Sequence, residues 1–275
     1  MKKLQIFNDY NYHYEIIESV IVKYRELFKV DESMKIYLYV KGDEVYRSYI
    51  RMKYPDIEFG RINNYDYYVN CTVYDKDFMK LDKNSNSRRR YISHEMTARL
   101  VSNPNVYFLA PFAGRNYLKA DVLPFAGIKR KTKRPVYVVQ GNLNHNRRHL
   151  GLLVRILRGN YKYDFEIRMV GNGYLPNELR PYRNRIVLRN NLNFVDYHEQ
   201  FLDVYCILPM ISKKTHPHYY RNKLTSSINY ARGYGIKCLI DKDLQDIYRL
   251  GDVEVFMGED DIVKAFGRTL ENYYK

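Results

Sequence analysis

The stretch Val136-Tyr-Val-Val-Gln-Gly-Asn-Leu-Asn-His-Asn-Arg-Arg-His149 decides the fold. Val136 to Val139 are apolar or β-branched, as a central strand requires. Gly141 permits a sharp turn. Asn142, Asn144 and Asn146 are helix-capping types, and Arg147 and Arg148 sit near the first turn of the helix that follows. A helix N-terminus carries partial positive charge and free N–H groups, so arginines there oppose the dipole. An anion such as a phosphate would relieve that opposition, whereas two solvated arginines on an ordinary strand–turn–helix would simply tolerate it.

Outward from this stretch, short apolar runs alternate with helical periods, the pattern of an α/β protein with mostly parallel sheets. In the first half, strands are predicted near Leu4–Phe7, Lys35–Lys41, Tyr67–Val73, Arg90–Ser93 and Val106–Ala110, with helices over Glu15–Phe28, Glu44–Tyr54 and His94–Val101. From Val136 onward, strands are predicted at Val136–Gln140, Phe165–Gly171, Ile186–Leu188, Val204–Pro209, Lys237–Ile240 and Val253–Met257. The matching helices are His149–Leu157, Pro176–Tyr182, Tyr197–Leu202, Tyr219–Arg232, Asp243–Arg249 and Asp260–Tyr273. The basic, Pro-containing stretch Gly127–Pro135 separates two similar series, so a boundary is expected there, with domains over residues 1–130 and 131–275. The expected architecture is two Rossmann-like doubly wound domains facing a central cleft, with ligands at the C-terminal ends of the strands.

Composition is consistent with this. The 275 residues suffice for two cores, and an apolar share of 45% argues against disorder. No apolar run is long enough to span a bilayer, and the first ten residues lack a signal-peptide core, so a cytoplasmic protein is expected. The formal charge of +15 is spread over both halves, which favours polyanions or phosphorylated small molecules as ligands. Cys71, Cys206 and Cys238 are widely spaced in apolar segments, as reduced buried thiols would be. Thirty tyrosines supply flat amphipathic faces of the kind that stack on sugars or bases.

Four loops after strands of the second half are candidate ligand contacts. Gly141–Arg148 is the first. Val170-Gly-Asn-Gly-Tyr174 is either a simple turn or a place where a ligand approaches the backbone. Arg185-Ile-Val-Leu-Arg-Asn-Asn-Leu-Asn-Phe194 is either a polar loop or a segment whose backbone pairs with a base edge. In Leu208–Ile228 a strand ends at Pro209, a loop bearing His and Lys follows, and Asn222-Lys-Leu-Thr-Ser-Ser227 opens or runs early in a helix. Hydroxyls beside free N–H groups, with Lys223 as a point charge, would hold a diphosphate; they would equally make an N-cap cluster with an exposed lysine.

Taken in order, strand–Gly–basic helix, Val-Gly-Asn-Gly, Ile-Val-Leu, Ile-Leu-Pro-Met-Ile-Ser and a small-residue helix ending Ala231-Arg-Gly-Tyr-Gly-Ile-Lys-Cys-Leu-Ile240, the second half resembles the nucleotide-sugar half of GT-B glycosyltransferases. The likeness runs over roughly Val136 to Tyr273. It implies a donor site made of Gly141, Asn142 and Arg147; Gly171, Asn172 and Gly173; Val187, Leu188 and Arg189; and Lys223, Thr225, Ser226 and Ser227. The size and the Tyr/Asn/Lys-rich style also resemble enzymes of large DNA viruses of algae. The glutamate pair that flanks the last helix in many retaining members is absent, with Tyr220 and Ile228 near those positions. An inverting reaction is therefore expected, which needs a general base. His94, at the end of a predicted strand, is the candidate, with Glu95 to orient it; Asp9, Asp66 and Asp75 compete.

The resemblance thus implies transfer of a sugar from a nucleoside-diphosphate sugar, with uridine as the default base, to a glycan or glycoprotein acceptor. The C-terminal domain would bind the donor and the N-terminal domain the acceptor, and the last helix can cross back onto the first domain, as in that family. Two Asp-Lys-Asp triplets, at Asp75 and Asp241, read as helix-start caps, so no metal and no cofactor are expected. Two rivals remain. One is a sugar-nucleotide epimerase on the same fold. The other is a basic nucleic-acid-binding protein, although no nucleic-acid motif is present and no nucleic-acid partner is expected.

Overall fold

The computed structural model describes residues 1–42, 44–112, 116–120, 123 and 132–275. The expected boundary at residues 130 and 131, and the basic run from Lys129 through Lys131, lie outside the described residues. The chain divides into two compact units, Met1–Leu123 with Asn222–Leu224, and Pro124–Arg221 with Thr225–Lys275.

The first unit contains strands β1 (Lys3–Asn8), β2 (Lys35–Val40), β3 (Glu58–Phe59), β4 (Tyr67–Asn70), β5 (Arg89–Ser93) and β6 (Val106–Phe108). Its helices are α1 (Tyr14–Phe28), α2 (Glu44–Lys53) and the single turn α3 (Ala98–Val101). The strands form one parallel sheet in the order β3-β2-β1-β4-β5-β6. This is the doubly wound order, whose switch point lies between β1 and β4. Side chains alternate across the sheet. Leu4, Ile6, Leu38, Val40, Val69 and Ile92 are buried, and α1 lies on that face, where Phe28 meets Tyr67. On the opposite face Phe7, Tyr37, Tyr39 and Tyr68 are half-buried. The connections from β4 to β6 are short there: a 3-10 turn over Asp75–Lys80 and α3. The two-residue β3 was not foreseen, because too few residues alternate to give a periodic signal. The predicted helix from His94 begins only at Ala98, where Thr97 caps it through a bond from Leu100 N.

The second unit repeats the plan with β7 (Val136–Asn142), β8 (Glu166–Asn172), β9 (Ile186–Asn190), β10 (Cys206–Ile207), β11 (Lys237–Asp241) and β12 (Val253–Phe256). The helices are α4 (Leu150–Arg158), α5 (Phe194–Glu199), α6 (Ser226–Tyr234), α7 (Lys242–Tyr248) and α8 (Ile262–Tyr274). The sheet order, β12-β11-β10-β7-β8-β9, again places a switch point beside the first strand, between β7 and β10. The buried residues of α8, with Phe266 at the centre, belong to this unit's own core. Phe266 packs on Tyr137, Tyr161 and Phe165, and Tyr137 and Thr269 share a hydroxyl contact of 2.7 Å. All three cysteines are buried and free.

One predicted helix is corrected. Tyr219–Arg232 is not continuous: a 3-10 turn covers Pro217–Tyr220, and α6 starts at Ser226 with Thr225 as N-cap. The intervening Asn222–Leu224 belongs to the first unit, tied there by a bridge of Lys223 to Glu95 and a bond from Met96 N to Asn222 O of 2.7 Å. Hydrogen bonding of that strip to a sheet-end loop overrides its helical propensity.

Candidate functional site

In the second unit, β7 and β8 run two and one residues past their predicted ends, and their tails pair as Gly141↔Gly171 and Asn142↔Asn172. Gly141 has φ 101° and Gly171 φ 144°, a region L side chains avoid. A Cβ on Gly171 would sit 1.9 Å from the carbonyl oxygen of Gly141, so two backbones occupy the space a side chain would need. The Gly-x-Gly motif therefore has a packing cause in the protein itself. Beyond it, Asn142, Asn172 and Gly173 line a cavity of about 730 Å³ together with Leu143, His145 and Tyr174.

Behind Gly141 lies a group the sequence only brushed. Arg147 is exposed, whereas Arg148 is 3% exposed. Its guanidinium donates to the carbonyls of Gln140, at 3.1 Å from Nε, and Arg147, at 2.7 Å from Nη1. Among the described residues it pairs with no carboxylate, and burial pulls its pKa down. A buried cation held only by dipoles is costly unless an anion joins it. Nη2 would lie 2.7 Å from a Cβ on Gly141, and Ser226 Oγ 3.9 Å from it, so the arginine and the start of α6 flank one glycine. Gln140, also buried, clamps the arrangement: its Nε2 donates to Ser226 Oγ (2.9 Å) and Ser227 Oγ (3.3 Å), and Tyr197 OH donates to its Oε1 (2.8 Å). Thr225 is 1% exposed, and among the described residues its hydroxyl has no hydrogen-bond partner. The N-terminus of α6 thus presents free N–H groups, an unused hydroxyl and a nearby uncompensated guanidinium.

The remaining donor candidates lie apart from this group. Leu188 and Arg189 are on the edge strand β9, where Leu188 packs on the core and Arg189 is exposed. Register places Arg189 level with Val170 and Gln140, hence about 10 Å across two strand spacings from Gln140. Lys223 is not at the start of α6; it belongs to the first unit.

In the first unit, His94 follows β5 and stacks on His13, with ring centroids 3.4 Å apart. His13 is the residue before α1, at φ 65°, and its Nδ1 lies 3.3 Å from Thr72 Oγ1 beyond β4. The pair therefore stands at the switch point of the first sheet. Burial drives both pKa values down, His13 to about 3 and His94 well below its ordinary value, with Lys223 adding repulsion to each. His94 Nε2 is closed off from solvent and, among the described residues, has no hydrogen-bond partner. Glu95 makes no hydrogen bond to His94; its carboxylate faces Lys223 Nζ at 3.7 Å. Of the competing carboxylates, Asp66 accepts from Lys3 N at 2.8 Å and Asp75 is bonded by Thr97. Asp241 caps α7 by accepting from Asp243 N at 3.0 Å, and Asp77 accepts from Tyr74 N at 3.0 Å, which gives both Asp-Lys-Asp triplets a structural use. His13, Gln140 and Tyr197 were not foreseen, and Arg148 was read only beside Arg147 at a helix start, because their significance lies in burial and partners rather than in spacing.

Among the described residues no helix is long and apolar enough to cross a membrane. No family profile and no curated protein sequence matches the chain. Solved structures do. The lipopolysaccharide outer core galactosyltransferase WaaB, in its apo form, superposes with a TM-score of 0.54 at 14% identity, over 99% of this chain and 91% of that one. HepE of Anabaena in complex with UDP and glucose gives 0.58 at 9% identity, over 100% and 91%. A putative UDP-N-acetylglucosamine 2-epimerase from Listeria monocytogenes gives 0.52 at 11%, over 100% and 89%. At such identities the likeness speaks for architecture alone: the chain has the fold of the GT-B glycosyltransferases, two Rossmann-like domains each built on a six-stranded parallel sheet.

Proposed function

We propose that this protein is a glycosyltransferase that takes a sugar from a UDP-sugar, with the donor diphosphate held at the N-terminus of α6. The observation that carries the reading is Arg148: a buried guanidinium without a carboxylate, set beside Gly141 and close to Ser226. A diphosphate there would supply the missing anion, accept from the α6 N–H groups and engage the idle Thr225 hydroxyl. The same contacts would stabilise the charge that develops on the departing diphosphate, without need of a metal. The nucleoside would extend along the ends of β8 and β9 toward Asn172 and Arg189.

In the first unit the acceptor hydroxyl would give its proton to a neutral imidazole of the His13–His94 pair, consistent with inversion. Lys223 weakens both bases, so an anion that neutralises Lys223 would strengthen them. Two imidazoles and an ammonium, with Glu95 turned to the ammonium, suit proton abstraction from an acceptor better than the carboxylate set an epimerase would use. A thermal-shift screen against nucleoside diphosphates tests the reading. UDP at a hundred times its Kd should add about 2.7 kcal/mol, roughly 5–10 °C for a chain of this size. No shift with any nucleoside diphosphate would refute it.

A further inference from the structure

The first unit has a second cavity, of about 350 Å³, on the half-buried face of its sheet and distinct from the histidine pair. Its floor is made by Gln5 and Phe7 of β1, Tyr68 of β4 and Tyr91 of β5. One wall is the crossover from β3 to β4, with Arg61 and Tyr65; the other is the end of the 3-10 turn, with Asp77 and Lys80. Gln5 holds the first wall in place. It is 1% exposed, accepts from Ile62 N at 2.7 Å, and donates to Gly60 O at 3.3 Å and Tyr37 O at 3.1 Å. Arg61 is thereby fixed over the Phe7 ring at 5.5 Å, and Arg89 over Tyr65 at 6.0 Å. Among the described residues neither arginine, nor Lys80, is in an ion pair, and Asp77 is the acidic group on the rim.

Three cations against the carboxylate of Asp77, with Asp82 acting on Arg89 from outside the cavity, favour an anion. The ring geometry narrows the class. Phe7 stacks on Tyr39 (5.0 Å, 11°) and leans on Tyr68 (6.1 Å, 31°), so ring faces are spent on one another and on Arg61. Tyr68 and the amide-bearing Asn63 and Asn70 line the cavity beside them. That surface offers hydrogen bonds to hydroxyl groups rather than a platform for nucleobases. The volume, at the low end for ligand pockets, suits a single ring.

We propose that this cavity binds one anionic saccharide unit, a sugar ring bearing a phosphate or a carboxylate. The proposal stands independently of the donor site at α6. The test is calorimetric titration of the full chain with glucose 6-phosphate, glucuronate, glucose and a short oligothymidylate, with UDP titrated in parallel. Arg61→Ala and Tyr68→Phe are compared with the wild type; the first side chain is exposed and the second change removes only a hydroxyl. Glucose 6-phosphate or glucuronate, or both, should bind more tightly than glucose, and which one binds names the anion. Affinity should fall roughly tenfold in Arg61→Ala and about threefold in Tyr68→Phe, with UDP affinity unchanged in both. Failure of both anionic sugars to bind, or binding indifferent to both substitutions, overturns the proposal. So does Arg61-dependent binding of oligothymidylate without the sugars. Sugar binding without UDP binding would leave this cavity standing and remove the donor reading alone.

Discussion

Replacing Gly171 by alanine separates the two explanations of the Gly-x-Gly motif. If the glycine serves packing, the damage must show in the free protein. The added Cβ would stand 1.9 Å from Gly141 O and 3.0 Å from Gly141 Cα, and φ at 144° is itself outside the range of alanine. A forced dihedral in such a region costs about 1–3 kcal/mol. The overlap adds to this, because the opposing atoms are backbone in the paired tails of β7 and β8 and have no rotamer to change. A total of roughly 3–4 kcal/mol follows, which lowers Tm by about 6–16 °C at the usual 2–4 °C per kcal/mol. Gly251→Ala is the control: nothing lies within 4 Å of its added Cβ, and its φ is outside the left-handed range. It should shift Tm by no more than about 2 °C. Circular dichroism melts of the three proteins without ligand are the assay. A Gly171→Ala melt within 2 °C of wild type would refute the packing explanation and return the motif to ligand approach.

Three further predictions follow from the same geometry. Thr225→Val removes a buried hydroxyl with no partner, so the free protein should melt at the same temperature or slightly higher, while UDP-induced stabilisation drops by about 1 kcal/mol; a loss of stability without ligand would show the hydroxyl already in use. Arg148→Met exchanges a buried unpaired cation for an apolar chain of similar length, so the ligand-free protein should hold its stability within about 1 kcal/mol, while UDP binding weakens at least tenfold; unchanged UDP binding would sink the donor site as drawn. The depressed histidines make the unfolded chain bind protons that the folded chain refuses, so their contribution is intact above pH 6.5 and lost as pH falls toward about 3 for His13. Glu15, raised to about 7 by burial, acts oppositely: its contribution is full below pH 4.5 and lost as pH rises through 7. His13→Gln with His94→Gln should remove their share of the rise in stability with pH, while His149 and His216, also depressed by burial, keep theirs and Glu15 opposes it; denaturant titrations at pH 5 and 7.5 should give a smaller gain than in the wild type, and an unchanged gain would refute the assignment.

The doubly wound plan was legible before any coordinates. Buried strands such as Val136–Val139 and Val69 read as apolar runs, and α1, α4 and α8 as amphipathic periods, because burial on one face imposes a period that local chemistry cannot hide. The glycines at 141, 171 and 173 were legible as turns, but not their reason, since the contact of Gly171 with Gly141 joins residues thirty apart in the chain. Helical propensity mistook Asn222–Leu224, whose backbone bonds run to His94 and Met96. The resemblance pointed to Arg147, but the buried arginine is Arg148; Glu95 was expected to orient His94, but its carboxylate faces Lys223 and His94 stacks on His13. Sequence by itself thus determined the two sheets, their order of elements and the basic character of the chain, because these follow from local periodicity and composition. Tertiary structure alone decided which arginine lost its solvent, which hydroxyl was left unpaired and how far two imidazoles were stripped of their affinity for protons. Those properties depend on what neighbours exclude water, and residues distant in sequence supply the neighbours.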